Sequence, residues 1–155
     1  RRGCRRARWD SPSVIVAGRE WIPLLSAALG GEVDPETMCF AALTDNGTPA
    51  AVFGFSGWRD GDIEGMLWAT PGGLTRALLR SCARYVFHQL GCDRLTIRIR
   101  ADNTAMLALS ARIGFTHEGT LREAFEGANV LIFGMLRREC RWLPGDQNRT
   151  TEVER

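Results

Sequence analysis

The chain has 155 residues, of which 45% are hydrophobic and 25% are charged, and its formal net charge is +2. These values are typical of one soluble globular domain. The small net charge excludes a strongly basic nucleic-acid-binding composition, and no apolar run is long enough to cross a bilayer. We therefore expect one folded domain over residues 13–143 and no membrane partner.

The first residues of the chain are strongly basic. Five arginines fall within residues 1–8, whereas lysine is absent from the whole sequence. A short basic arm over residues 1–12 is suited to contact phosphate, so nucleic acid is one candidate partner. A frayed, solvated terminus is the more common fate of such a segment, and both interpretations stay open. At the other end, residues 144–155 are polar and unpatterned, which predicts a disordered tail.

The first half of the chain predicts one helix and four strands, the last three of which form an antiparallel meander. Pro23 falls in the first turn of the helix, where proline is tolerated, and Gly30 ends that helix. The residues Asp45-Asn46-Gly47 give a strong hairpin signal between two of the strands. The predicted elements are a strand over 13–17, a helix over 19–29, and strands over 37–43, 50–55 and 63–69.

The second half predicts two helices and three strands. The clearest helix spans residues 74–90, where apolar side chains recur at spacings of three and four. A strand over 93–100 follows, and the strand–helix–strand order requires it to form a parallel or splayed pair with the strand over 63–69. The remaining elements are a helix over 103–113, capped by Asp102 or Asn103, and strands over 116–123 and 129–136.

A glycine-containing turn joins the strand over 63–69 to the clearest helix. Its sequence is Thr70-Pro71-Gly72-Gly73-Leu74-Thr75. Free backbone N–H groups at such a turn, together with the positive end of the helix dipole, form an anion site. Two adjacent glycines are also compatible with a plain strand–helix turn, so the sequence alone leaves both interpretations open.

The segment over residues 91–115 resembles the second half of an N-acetyltransferase of the GNAT superfamily. Asn103, Leu109, Gly114 and Phe115 match that pattern at the right spacing. Residues 117–122 resemble a strand of the ribosomal-protein N-terminal acetyltransferases, and residues 135–142 are similar to small GNAT proteins of bacteriophage genomes. The resemblance covers about residues 13–142. It implies an α/β (α+β) acyl-CoA N-acyltransferase fold, with a mixed, mostly antiparallel sheet flanked by helices.

The resemblance implies acetyl-CoA as co-substrate, with its diphosphate held at the turn over residues 70–75. Two residues depart from the family's loop, since Thr70 stands where glutamine or arginine is expected and Thr75 replaces a small residue. The loop is also shorter than usual, which predicts fewer N–H donors for a diphosphate. The residues that the resemblance assigns to acetyl-CoA are Leu67, Trp68, Ala69, Gly72, Gly73, Leu74, Thr75, Arg76 and Asn103.

Two side chains are candidates for catalysis. Amine attack on a thioester requires a proton acceptor and a donor to the leaving thiolate. Glu64 shares a strand face with Met66 and Trp68, which suits a base, although an exposed glutamate beside a turn is the more common explanation. Ser110 occupies the helix position at which the family often has a tyrosine that donates to the thiolate. Its hydroxyl is either a weak donor there or simply a small helix residue.

The five cysteines are dispersed and contain no CxxC pair, which argues against a disulfide framework and against a zinc site. Cys39 and Cys82 lie among apolar residues, so we expect buried thiols in a reducing cytoplasm. No cluster of histidine and cysteine indicates a metal cofactor.

The sequence therefore predicts an enzyme that transfers an acetyl group from acetyl-CoA to a primary amine. The alternative is a catalytically impaired GNAT-fold module that binds nucleic acid or a protein partner through the basic arm. A homodimer is also a candidate, because the final strand often mediates pairing in such folds.

Overall fold

A computed structural model describes residues 14–144 of the chain. The predicted basic arm over residues 1–12 lies outside the described residues, as do residues 145–155 of the predicted tail. The described strands are β1 (Val14–Gly18), β2 (Met38–Leu43), β3 (Pro49–Arg59), β4 (Asp62–Ala69), β5 (Arg94–Arg100), β6 (Thr116–Phe125) and β7 (Ala128–Leu136). The described helices are α1 (Ile22–Leu29), α2 (Arg76–Ala83), which continues as a π-helical segment (Arg84–Gln89), and α3 (Thr104–Ile113).

The seven strands form one mixed sheet in the order β1-β2-β3-β4-β5-β7-β6. Every neighbouring pair is antiparallel except β4 and β5, which are parallel. The predicted meander of β2, β3 and β4 is confirmed. So is the predicted fold class, because a single parallel pair within an otherwise antiparallel sheet is what the strand–helix–strand order demands.

The helices cover both faces of the sheet. On one face, Leu25 of α1 packs with Cys39, Ala41 and Val52 into a small cluster, in which all four residues are fully buried. On the other face, α2, the π-helical segment and α3 cover a larger core. Strand alternation explains the division, because successive side chains of a strand point to opposite faces.

The helix starts differ from the sequence prediction for local reasons. Helix α1 begins at Ile22 rather than at residue 19, because Pro23 occupies its first turn and the preceding residues form a turn closed by the Ile22 N–H and the Arg19 carbonyl at 3.1 Å. Helix α2 begins at Arg76 rather than at residue 74. There Thr75 is extended, and its hydroxyl oxygen accepts a hydrogen bond from the Leu78 N–H at 3.2 Å.

The last part of the predicted helix over 74–90 is π-helical, not α-helical. The Leu90 N–H donates to the Tyr85 carbonyl at 2.9 Å, five residues back. Within this segment the consecutive residues Val86 and Phe87 both reach the core, where they are 0% and 1% exposed. Periodicity alone did not reveal the change, since it affects the spacing of only one turn.

A polar network joins β4, β5 and β6 at the end of the sheet where β4 begins. Arg94 donates through Nε to the Thr96 hydroxyl at 3.0 Å, and through its terminal nitrogens to the Glu118 carboxylate. The Thr96 hydroxyl donates in turn to Asp62 at 2.9 Å. The hydrogen bonds from Arg94 hold the pKa of the Glu118 carboxyl below its ordinary value.

Glycine at position 134 of β7 makes this network sterically feasible. A Cβ atom there would lie 2.5 Å from the Glu118 Oε1 atom and 2.6 Å from a terminal nitrogen of Arg94. The two side chains therefore meet across the bare backbone of the strand between them. We call Asp62, Arg94, Thr96 and Glu118 the closed-end network, because they lie at the end of the sheet where β4 and β5 are paired.

Candidate active site

Strands β4 and β5 are paired at one end and diverge at the other. Their parallel register runs from Asp62–Arg94 to Gly65–Ile97 and then stops. Beyond that point β4 remains paired only with β3, and β5 only with β7. The facing edges of the two strands therefore carry backbone N–H and C=O groups that have no partner from the opposite strand.

A cavity of about 380 Å³ lies at this divergence. Its volume falls within the usual range for small-molecule sites, and its lining is largely apolar. The lining residues come from α1, β3, β4, β5, α3, β6 and β7, and they are Ala28, Leu29, Phe53, Glu64, Gly65, Met66, Leu67, Ile97, Arg98, Ile99, Arg100, Asn103, Met106, Ser110, Ile113, Phe115, Leu121, Ala124, Phe125 and Val130.

The structure brings four of the predicted site residues together at this cavity. They are Glu64, Leu67, Asn103 and Ser110, from two elements that are far apart in the sequence. The other predicted residues are not among its lining. Trp68 packs beside α1, on the same face of β4 as Glu64 and Met66, and Ala69 packs against the larger core.

Glu64 lies at the point where the strands diverge. Its Oε1 atom is 3.3 Å from the Nε atom of Arg98 on β5, so an ion pair spans the mouth of the opening. The two side chains are 41% and 53% exposed, which means that solvent reaches both. Strand alternation puts Glu64 and Met66 on one face of β4, and both residues line the cavity.

Helix α3 forms the wall of the cavity on the other side. The Asn103 side-chain oxygen caps the helix by accepting a hydrogen bond from the Met106 N–H at 3.2 Å, which decides between the two predicted caps. Ser110 is 1% exposed, and its hydroxyl donates to the Leu107 carbonyl oxygen at 2.9 Å. The hydroxyl proton is thus directed at the helix backbone and not at the cavity.

The turn over residues 70–75 is a compact, internally bonded loop. The Thr70 backbone N–H and hydroxyl both donate to the Ala50 carbonyl, at 2.8 and 2.9 Å, and the Gly73 N–H donates to the Thr70 carbonyl at 2.8 Å. A side chain at Gly73 would clash with the Ala50 carbonyl oxygen, so only glycine fits this close approach of two backbones. With the Leu78 N–H also bonded to the Thr75 hydroxyl, three backbone N–H donors of the region are already engaged.

Arg100 organises the rim of the cavity. Its guanidinium bonds Asp102 at 2.9 and 3.0 Å and Glu126 at 3.2 Å, and it lies over the Phe125 ring at 5.5 Å from the centroid. The start of α3 and the turn between β6 and β7 are thereby tied to one side chain. The same hydrogen bonds from Arg100 lower the pKa of the Asp102 carboxyl.

The four described cysteines are buried free thiols, which confirms the prediction for Cys39 and Cys82. Burial raises the pKa of Cys39 to about 11, and it raises the pKa of Cys82 as well. Cys4 lies outside the described residues. No group of three or more potential metal ligands occurs within residues 14–144. None of the helices in that part of the chain is long and apolar enough to cross a membrane.

Comparison with known families decides the identity of the fold. The model of the acetyltransferase (GNAT) domain matches residues 19–116, which is more than half of the chain. The chain belongs to the GNAT acetyltransferase family. It is therefore an enzyme of the acyltransferase class, and the match includes β4, the turn over 70–75, β5 and α3. A search of curated proteins by sequence finds no match.

Solved structures agree with this family in their fold. A dodecameric spermidine N-acetyltransferase from Vibrio cholerae has a TM-score of 0.63 at 14% identity, over 81% of this chain and 94% of that one. A spermidine/spermine N-acetyltransferase from Vibrio cholerae, in complex with manganese ions, gives 0.57 at 18% identity, over 67% of each chain. A GNAT-family acetyltransferase from Bacillus anthracis gives 0.56 at 14% identity, over 65% of this chain and 67% of that one.

Sequence reasoning missed the arginines of β5 and the apolar rim of this GNAT cavity. Arg98 and Arg100 alternate with the buried residues of β5, so their side chains lie on the same face of the sheet as Glu64. Placing β4 and β5 in parallel register is enough to find the pair of Arg98 with Glu64. Leu29 and Leu121 gave no comparable signal, because they come from α1 and β6 and meet only in the folded chain.

Proposed function

We propose that this GNAT-family enzyme transfers an acetyl group from acetyl-CoA to a primary amine. The observation that carries the proposal is the cavity at the divergence of β4 and β5, lined by Glu64 on one side and by α3 on the other. Two diverging strand edges offer backbone donors and acceptors to an extended chain that carries amide groups, as the pantetheine arm does. The apolar lining accommodates the methyl and thioester end of the same molecule.

The turn over residues 70–75 is less well suited to bind the diphosphate of acetyl-CoA than the cavity is to bind its pantetheine arm. The start of α2 brings a helix dipole and N–H groups toward an anion, which supports binding there. The hydrogen bonds that already engage Gly73 and Leu78 reduce the number of donors. We infer that Gly72 and Leu74 contribute more to diphosphate binding than Gly73 does.

When bound, acetyl-CoA supplies an activated thioester. A backbone N–H of β4 near Leu67 would polarise the carbonyl oxygen, because the β5 side of that strand has lost its ladder partner. Glu64 would accept the proton that the attacking amine loses, since its carboxylate borders the cavity and solvent reaches it. Ser110 serves here as a small buried residue that leaves room in the cavity. The thiolate then takes its proton from solvent.

Calorimetric titration with acetyl-CoA tests the proposal directly. We expect saturable binding, and we expect Gly73→Ala to weaken it by about tenfold or more, because the turn must move away from Ala50. Gly119→Ala is the matched control, since a Cβ at Gly119 meets nothing within 4 Å. Absence of saturable binding by the unaltered chain at high micromolar acetyl-CoA would refute the proposed function.

The alternative of a binding module depends on the basic arm, which lies outside the described residues and stays a prediction. Retention on DNA that depends on salt and disappears when residues 1–8 are removed would support it. A cytoplasmic location and a homodimer likewise stay predictions. The buried free thiols favour a reducing compartment.

A further inference from the structure

The cavity has two unlike faces. Odd-numbered residues of β4 and β5, such as Gly65 and Ile97, face the core beneath α2 and α3, whereas Glu64 and Arg98 face the side of α1. The turn over 70–75 leads into α2, so on the proposed function the thioester enters from the α2 and α3 side. The amine must then approach from the side of α1 and β6.

The approach on that side is apolar and partly exposed. Large hydrophobic residues with substantial exposure are few in the described chain, and two of them, Leu29 at 41% and Leu121 at 38%, line this cavity. Phe125 and Met66 border the same space. Exposed apolar side chains that gather around a pocket indicate a surface that an apolar ligand covers.

The charges that line the cavity and its Arg100 rim do not suit a polycation. Among the residues of 14–144 that line the cavity, Glu64 is the only carboxylate, and it is already paired with Arg98. The neighbouring carboxylates Asp102 and Glu126 are both bonded to Arg100. An acceptor with several ammonium groups would therefore meet the guanidinium groups of Arg98 and Arg100. To bind any of these carboxylates, an ammonium group would first have to displace the arginine that is paired with it.

We propose that the acceptor is a primary amine borne on an apolar or aromatic body, with no second cationic group. This inference rests on the proposed function, and it separates the chain from the spermidine acetyltransferases whose fold it shares. The apolar body would contact Leu29, Leu121 and Phe125, while the amine reaches Glu64. Two sources supply this chemistry: a small arylalkylamine, or the N-terminal amine of a peptide whose first side chain is apolar.

Initial rates of CoA release test the acceptor class with the unaltered chain and saturating acetyl-CoA. The acceptors are phenethylamine, a tripeptide amide that begins with phenylalanine, and spermidine. We expect kcat/KM for at least one apolar amine to exceed that for spermidine by about tenfold or more. The two apolar arms distinguish a small amine from a peptide N-terminus. Mass spectrometry of the products confirms acetylation at the amine.

Three results are informative in different ways. Spermidine used as well as the apolar amines would overturn the proposed acceptor class and leave the acetyl transfer standing. Turnover of none of the three, with acetyl-CoA binding intact, would also overturn the acceptor class. Failure to bind acetyl-CoA would instead refute the proposed function, so the two failures are distinguishable.

A charge placed on the apolar rim sharpens the test. Leu121→Glu introduces a carboxylate where the apolar body would lie, so we expect the preference for the apolar amine over spermidine to fall by about tenfold. Val14→Glu is the matched control, because Val14 is exposed on β1 and does not line the cavity. An equal effect of both substitutions, or none from Leu121→Glu, would contradict a rim that selects the acceptor.

Discussion

The two ends of the β4–β5 pair use the same residue types for different purposes. At the closed end, Arg94 is 30% exposed and bonds Thr96 and Glu118 in a network that also contains Asp62. At the open end, Arg98 is 53% exposed and makes one ion pair with Glu64. Both arginines lie on the same strand face, four residues apart.

The comparison shows that one end of β5 stabilises the sheet, whereas its other end borders the cavity. A network of several hydrogen bonds around a half-buried arginine adds to a continuous backbone ladder. A single exposed pair contributes little to stability, so it can be broken and remade while ligands enter. We therefore expect substitutions at the closed end to change stability and substitutions at the open end to change activity.

Replacement of Glu64 by glutamine should give the largest effect. An amide cannot accept the proton of the amine, so we expect kcat to fall by about a hundredfold or more while stability changes little. The measurement is the rate of CoA release with the best acceptor. Glu36→Gln is the control, since it breaks another exposed glutamate–arginine pair that does not border the cavity. A kcat within a factor of about three of the unaltered enzyme would remove Glu64 from the role of base.

Matched substitutions of the two arginines test the comparison itself. We expect Arg94→Met to lower the free energy of unfolding by about 1–3 kcal/mol, because it leaves Glu118 and Asp62 without their shared partner. Arg98→Met should cost less than about 1 kcal/mol. Urea unfolding of both variants measures the difference. Equal losses of stability would show that the two ends of the strand pair are not energetically distinct.

Ser110→Ala is expected to have a smaller effect. Because the hydroxyl donates to Leu107 within the helix, we expect kcat to change by less than about fivefold. Loss of a donor that stabilises the leaving thiolate would be larger, since removal of one such donor typically costs about a hundredfold or more. A loss of that size in the steady-state kcat would show that the Ser110 hydroxyl takes part in catalysis.

Lowering the pH should gradually reduce the stability that the closed-end network contributes. The folded pKa of Glu118 is depressed below its ordinary 4.5, so its contribution to stability is complete above that pH and is lost as pH falls through the lower folded value. We expect the stability gap between the unaltered chain and Glu118→Gln to narrow between about pH 6 and about pH 3. A gap that stays constant in urea titrations at both pH values would contradict this assignment.

Regular periodicity and turn residues made most of the fold predictable from the sequence. The alternation of β5 placed Leu95, Ile97 and Ile99 in the core, where they are at most 7% exposed. Gly114 ends α3 in a left-handed conformation at φ 115°, as a glycine after an apolar helix should. The π-helical segment escaped prediction because its hydrogen bonds change the spacing within one turn only.

The candidate site was less predictable, because its residues meet only in the folded chain. Asn103 and Ser110 could be selected from the GNAT resemblance and Glu64 from strand alternation, and all three line one cavity. The partner of Glu64 requires the parallel register of β4 and β5, which sequence order suggests but does not fix. The rim residue Leu121 depends on how β6 reaches the cavity, and no local pattern encodes that.

The burial of the cysteines has a practical consequence for the proposed reaction, whose second product is a free thiol. Cys39, Cys82, Cys92 and Cys140 are all buried, and desolvation raises the pKa of each thiol. Thiolates are the species that exchange with disulfides, so these four residues resist forming mixed disulfides with oxidised CoA. Chromogenic thiol reagents should accordingly report each turnover with little background from this part of the enzyme.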